Sequence, residues 1–300
     1  MRFGLVGTGP WAELAHGPGL VAAQGVELVG VWGRTLSRAD PLAQTLGVTA
    51  YDDYAALLAD VEAVAFAVPP AVQAELALEA AAAGRHLLLD KPVATDLGAA
   101  RTLLAAATEA GVSSVVFFTD RFVDATRTWI DHVRGTEGWH GGWVRWFSAL
   151  QEPGNPFGAS PWRHQAGGLW DTGPHALSTL IATLGPIASL IAAGGQGDEV
   201  HLIARHVSGQ TSTIALTQFA PPAASHFEAT LWGEAGFSTM PPRPDGAFGP
   251  LLATAAEELV ACAASGDAHE LDLRFGVRIV ELLSQAQEQL VRPVATGNAG

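Results

Sequence analysis

A short apolar segment, residues 3–6, runs directly into Gly7-Thr8-Gly9-Pro10-Trp11-Ala12, and an Ala-rich helical stretch covers residues 10–24. Strand, glycine turn and helix in that order constrain the fold more than any other part of the chain. The first glycine permits a tight turn, and the second lets the backbone approach a bound group. A small third residue, here Ala12, lets helix and strand pack closely. The first amides of such a helix have no partner within it and form a site for phosphate. In isolation a G-x-G is an ordinary turn. Between a strand and a helix it predicts a dinucleotide-binding unit in which Gly7, Thr8, Gly9, Pro10 and Trp11 hold the pyrophosphate.

The same alternation continues to residue 118. Strand-like runs at 26–31, 63–68, 86–89 and 114–118 are separated by helical stretches at 36–46, 53–58, 70–83 and 96–110. Gly25, Gly47, Gly84 and Gly111 stand where these helices should stop, and Thr95 is the expected N-cap of the last. Apolar runs buried on both faces and joined by helices predict a doubly wound parallel sheet with right-handed crossovers. Beyond about residue 120 the pattern changes. Longer runs at 142–150, 201–207, 211–219 and 227–233 follow one another without helices of that spacing, which predicts a largely antiparallel sheet. Helices are expected at 174–184, 251–264 and 272–290, and the Pro/Gly-rich stretch 151–161 reads as a loop able to cover a site. The expected architecture is α/β. A Rossmann domain over residues 1–119 is expected to bind a dinucleotide, followed by an α+β domain with an open, mostly antiparallel sheet over residues 120–300.

Charge and composition exclude several classes. A net charge of -14 without Lys/Arg clusters argues against a nucleic-acid partner. The single cysteine, Cys262, forbids an internal disulfide, and no Cys/His framework for zinc is present, so no metal is expected. The turn at residues 7–10 interrupts the first apolar segment too early for a signal peptide, and no apolar run reaches the ~20 residues of a membrane span. A cytoplasmic protein with no membrane partner is expected.

The second strand-like run ends at Trp32-Gly33-Arg34-Thr35, with Ser37 and Arg38 following. NAD-specific turns carry Asp or Glu here to hold the ribose 2′-hydroxyl. An arginine instead suits a 2′-phosphate through charge-assisted hydrogen bonds. Gly33, Arg34, Thr35 and Arg38 are therefore expected to favour NADP(H), with NAD(H) the alternative.

Two further segments carry a resemblance. One is Val68-Pro69-Pro70 continuing to Leu89-Asp90-Lys91-Pro92, and the other is Trp162-Arg163 followed by Gly167-Gly168-Leu169-Trp170-Asp171-Thr172-Gly173-Pro174-His175. With the glycine turn, in this order, they resemble the glucose–fructose oxidoreductase/inositol dehydrogenase (Gfo/Idh/MocA) family. Read by themselves, Lys91 is a loop lysine, Asp171 an N-cap and His175 a packing residue. The resemblance implies more. It makes the chain an NAD(P)-dependent oxidoreductase that moves hydride between nicotinamide and a hydroxyl or keto carbon of a sugar, cyclitol or related small molecule.

Lys91, following the fifth strand, would lie beside the nicotinamide, with Val68, Pro69 and Asp90 also touching the cofactor. His175 would exchange the substrate proton, and Asp171 would contact substrate hydroxyls or orient the imidazole; Arg163 and Trp162, with Arg121 and Trp170, are weaker candidates for substrate contact. A homodimer or homotetramer through the second sheet is implied as well. Three positions depart from the family pattern. Asp90 stands for the usual Glu, Val68-Pro69-Pro70 with Gln73 replaces T-P-N and a histidine, and Ser178 replaces an aspartate. The alternatives are a catalytically silent cofactor-binding regulator and a reductase of a non-sugar carbonyl. His140, His164, His201, His206, His226 and His269 show no ligand spacing.

Overall fold

The computed structural model describes residues 1–244, 246 and 248–291. It divides into two compact units, Met1–Thr128 with Pro241–Val280, and Trp129–Met240 with residues 281–291. The expected division at 119/120 misses two segments that pack with the N-terminal sheet. The physical reason is apolar burial: the helix Phe248–Ser265 turns Leu252, Ala255, Ala256 and Leu259 fully inward against the N-terminal unit.

The first unit is built on six parallel strands. These are β1 (Arg2–Val6), β2 (Glu27–Trp32), β3 (Thr49–Tyr51), β4 (Ala63–Phe66), β5 (His86–Asp90) and β6 (Ser114–Phe117). Their order is β3-β2-β1-β4-β5-β6. A π-helical turn (Ala12–His16) leads into α1 (Gly17–Ala22), and α2 (Leu36–Leu46), α3 (Tyr54–Asp60), α4 (Pro70–Ala82) and α5 (Leu97–Glu109) make the later crossovers. Phe3, Leu5, Val64, Phe66, Leu88 and Val115 are fully buried, as expected of strands covered on both faces. Strand order reverses between β1 and β4, and a ligand crevice forms beyond the strand C-terminal ends at such a point. Thr95 is not the cap of α5. Asp96 takes that role, its carboxylate accepting from Ala99 N at 2.8 Å. Asp has the same short acceptor geometry and stands one residue closer to the helix.

A 3-10 turn (Thr119–Phe122), α6 (Asp124–Arg134) and α9 (Phe248–Ser265) meet at a charged cluster, in which Arg127 bonds both carboxylate oxygens of Glu258 and His269 reaches the second at 2.9 Å. Burial works against ionisation of Glu258, but the bonds from His269 and Arg127 outweigh it and bring its pKa to about 2 from the ordinary 4.5. A carboxyl depressed by folding stabilises the fold above its unfolded pKa, and that contribution is lost as pH falls through the folded value. Acid unfolding should therefore draw on Glu258 between about 4.5 and 2, and Glu258→Gln should flatten that limb of a urea-midpoint-against-pH curve. An unchanged limb would contradict this.

The second unit holds β7 (Trp139–Phe147), β8 (Ile187–Gly194), β9 (Val200–His206), β10 (Thr211–Thr217), β11 (His226–Gly233) and β12 (Gly236–Thr239) in the order β12-β11-β7-β10-β9-β8. Only β7 and β10 pair parallel; the other neighbours are antiparallel. Helices α7 (Pro161–Asp171) and α8 (Gly173–Leu184) belong to the same unit, and the chain's last described helix is α10 (Leu273–Val291). Alternation is clear on β9, where Val200, Leu202 and Ala204 are buried while His201, Ile203 and Arg205 are exposed. Among the described residues no helix is long and apolar enough to cross a membrane. None of their His, Cys, Asp and Glu side chains cluster in threes fit to hold a metal.

Candidate active site

In the first unit the glycine turn is fixed by close approach. Gly7 has φ 127°, and a Cβ there would lie 2.4 Å from the Ala67 carbonyl oxygen. Its N–H donates to Trp32 O at 3.0 Å, which clamps the turn to the end of β2. At Gly9 the direction of a Cβ is open, with nothing within 4 Å. That is the cradle a pyrophosphate needs, and a side chain would fill it. Gly33 lies against the same turn, since a Cβ there would meet Thr8 Cγ2 at 2.9 Å. The structure thus brings Gly7, Thr8, Gly9, Gly33 and Val68 together, with Pro69 in the N-cap position of α4. Arg34 and Arg38 are exposed and make no ion pair among the described residues, and Thr35 takes the N-cap position of α2. No carboxylate occurs in residues 32–38.

Asp90, at the end of β5, joins this turn to Lys91. Its Oδ2 accepts from the indole N–H of Trp11, and its Oδ1 accepts from the backbone N–H of Lys91 at 2.7 Å. The fully buried Gln73 clamps the same residue from α4. Its Nε2 donates to Asp90 O and its Oε1 accepts from Asp90 N, both at 2.8 Å. His16, also fully buried, places Nε2 3.6 Å from Asp90 Oδ2. Lys91 is only 9% exposed, and its peptide bond to Pro92 is cis. Its ammonium acts on the buried Asp120, which also accepts from Arg243 Nη1 at 2.8 Å. Burial pushes the Asp120 carboxyl up, against the opposing pull of Arg243 and Lys91. The neighbouring Arg121 is buried and paired with Glu270 at 2.8 Å.

In the second unit Asp171 is 2% exposed, and its Oδ2 accepts from both Arg163 Nη1 and Gln218 Nε2. Thr172, not Asp171, precedes α8, and it makes no side-chain cap. The capping reading of Asp171 therefore fails. His175 is 8% exposed, with its ring centroid 5.4 Å from that of Trp146. Arg163 lies over the rings of Phe157 and Trp162 at 4.8 and 5.7 Å. Trp170 donates to Gln287 Oε1 at 3.2 Å, and Ser178 is fully buried. The helix α7 is broken at Gly167, whose φ of 61° and ψ of -169° belong to a region that only glycine enters readily.

The family model described as "Oxidoreductase family, NAD-binding Rossmann fold" (Gfo/Idh/MocA) matches residues 1–118. An uncharacterised oxidoreductase of Rhizobium meliloti is 37% identical over 100 residues, covering 32% of this chain and 30% of that protein. The dTDP-3,4-didehydro-2,6-dideoxy-alpha-D-glucose 3-reductase of Streptomyces antibioticus is 30% identical over 246 residues, 79% of this chain and 74% of the relative. The chain belongs to the Gfo/Idh/MocA family of oxidoreductases. The solved structure of GenD2 from gentamicin A biosynthesis, in complex with NAD, shares the fold of this family member. Its TM-score is 0.84 at 20% identity, and the match covers 96% of this chain and 93% of the other.

Within this Gfo/Idh/MocA chain the departures from the family pattern have structural content. The shorter Asp90 still reaches Trp11 and the Lys91 amide, and Gln73 serves as a two-way clamp on the Asp90 backbone. Sequence reasoning missed Asp120, His16 and Gln218, which the fold brings to Lys91, Asp90 and Asp171 respectively. The one available signal lay at Gln73, where a departure from pattern marked a residue with work to do. His206 is a satisfied core histidine between Gly185 O and Ser212 Oγ, and burial pushes its pKa down.

Proposed function

We propose that this protein transfers hydride between a nicotinamide dinucleotide, NADP(H) by preference, and a hydroxyl or keto carbon of a sugar, cyclitol or related small molecule. The observation that carries the reading is the Asp90 carboxylate. It takes the Trp11 N–H from the glycine turn and the backbone N–H of Lys91, so the cofactor turn and the lysine are positioned as one piece. Gly7, Thr8, Gly9, Pro10 and Trp11 would hold the pyrophosphate at the helix start. Gly33, Arg34, Thr35 and Arg38 would surround the adenosine ribose, and Val68, Pro69, Asp90 and Lys91 the nicotinamide end. Bound nicotinamide supplies or accepts the hydride. Lys91 would hydrogen-bond the reacting oxygen, and His175 would take or give its proton. Asp171, held by Arg163 and Gln218, accepts from substrate hydroxyls, and Trp162 and Arg163 flank them. The Streptomyces antibioticus relative is named for reducing position 3 of a dTDP-linked dideoxyglucose, which supports a sugar substrate.

The test is spectrophotometric: NADPH is mixed with a panel of keto-sugars and keto-cyclitols and its absorbance followed. Oxidation by at least one compound is expected. Tight cofactor binding without turnover across a broad panel would favour the silent-regulator reading, against which Lys91, Asp171 and His175 are all retained.

Cofactor choice has its own test. Removing both guanidinium groups, with Arg34→Ala and Arg38→Ala together, should weaken NADPH binding about tenfold to a hundredfold, as expected for charge-assisted bonds to a phosphate. NADH affinity should hardly change. Equal weakening of both, or tighter NADH than NADPH binding in the wild type, would overturn the preference.

The open sheet face of the second unit exposes Ile191, Ile203, Trp232 and Phe237, the last by 75%. An apolar surface of this kind fits a homodimer or homotetramer. A cytoplasmic setting fits the lone Cys262.

A further inference from the structure

The glycine pair at 167–168 and the carboxylate of Asp171 depend on a residue 30 positions further along the chain from Gly168. Asp198 lies between β8 and β9. Its Oδ2 accepts from the backbone N–H of Gly168 at 2.9 Å and of Gln218 at 2.8 Å, and its Oδ1 accepts from the Thr217 hydroxyl. One carboxylate thus ties the break in α7 to the end of β10. The Gly168 peptide is held on its other side too, since its carbonyl accepts from Thr172 N at 3.1 Å and Thr172 Oγ1 at 2.9 Å. Gln218, whose backbone Asp198 fixes, donates through its side chain to Asp171 Oδ2. Packing leaves no slack around this arrangement. A Cβ at Gly167 would sit 3.2 Å from Asp198 Cβ, and one at Gly168 would sit 3.1 Å from Thr217 Cα.

We infer that Asp198 is a positioning residue for the substrate side of the site, acting through Gly168 and Gln218 to set where the Asp171 carboxylate stands. The inference rests on the function proposed above. Three hydrogen bonds from two segments converge on this one side chain, so it holds both in place. Displacement of a substrate-orienting group by about 1 Å can cost about a hundredfold in rate.

The experiment uses the full chain with NADPH and a keto-sugar that the wild type reduces. Asp198→Ala should lower kcat/KM by about thirtyfold to a hundredfold while NADPH affinity stays within about twofold of wild type. Asp198→Asn keeps an oxygen for the two amides and can donate to Thr217 Oγ1, so it should stay within about threefold of wild type. Gln218→Ala leaves the Asp198 bonds in place but removes the donor to Asp171, so it should reproduce the loss in kcat/KM even where Asp198→Ala fails to fold.

Wild-type kcat/KM in Asp198→Ala or Gln218→Ala, or an Asp198→Asn variant as damaged as the alanine, would overturn the inference. Should the wild type reduce no compound at all, the functional reading falls. The positioning claim is then read from the place of the Asp171 carboxylate in crystal structures of Asp198→Ala and Gln218→Ala. A carboxylate displaced from its wild-type place in either variant supports it, and an unmoved one in both overturns it.

Discussion

Lys91→Met should lower kcat about a thousandfold, within the range for loss of a positioned proton-transfer or oxygen-binding group, while the protein folds normally. Methionine keeps most of the buried stem of a side chain that is only 9% exposed, so little packing is lost. What disappears is the ammonium. Asp120 then faces Arg243 without a second cation, and its carboxyl should become harder to ionise, in the direction that burial already drives it. NADPH binding should fall much less than turnover, because the glycine turn and its bond from Trp11 to Asp90 do not depend on the lysine side chain. Stopped-flow single turnovers with melting curves and cofactor titrations separate these effects. A thousandfold loss that merely tracked lost cofactor binding would deny Lys91 its role at the reacting oxygen.

The second large effect concerns Gly7→Ala. A methyl group would lie 2.4 Å from the Ala67 carbonyl oxygen, at a φ of 127° that an L-residue rarely adopts. Neither the backbone of residue 67 nor the bond from Gly7 N to Trp32 O can give way cheaply, because β4 and β2 lie on either side of β1. A loss of about 3 kcal/mol or more is expected, with dinucleotide binding abolished. Gly9→Ala is the informative control. Its methyl group would meet nothing within 4 Å, so thermal stability should stay near wild type while NADPH affinity drops. Equal thermal stability for the two variants would contradict the steric account of the turn, and unaltered NADPH affinity in Gly9→Ala would remove the pyrophosphate from it.

Much of the first sheet could be read from sequence because its strands are buried on both faces and stand out as continuous apolar runs. β3 escaped notice, since three residues cannot show a period. β8 escaped because Ala188, Ser189, Ala192, Ala193 and Gly194 blur its alternation. The helix α7 was hidden by Pro161, Gly167 and Gly168, residues that ordinarily mark loops. Lys91, Asp171 and His175 are all buried, and the partners of these side chains were not legible. Gln218 reaches Asp171 across 47 positions, and Gln73 reaches Asp90 across 17. Contacts of that kind are made by the fold and leave no periodic trace. The joining of residues 241–280 to the N-terminal unit was hidden for the same reason, because an apolar helix face does not say which sheet it covers.

Transfer of label tests the central claim most directly. The protein would be incubated with NADPH carrying deuterium at nicotinamide C4 on the transferred face and a keto-sugar that it reduces, and the alcohol product weighed by mass spectrometry. One deuterium on the new carbinol carbon is predicted for the wild type, with product formation nearly abolished in Lys91→Met. An alcohol formed without label from either C4-deuterated face, or formed as fast by Lys91→Met as by the wild type, would contradict the account.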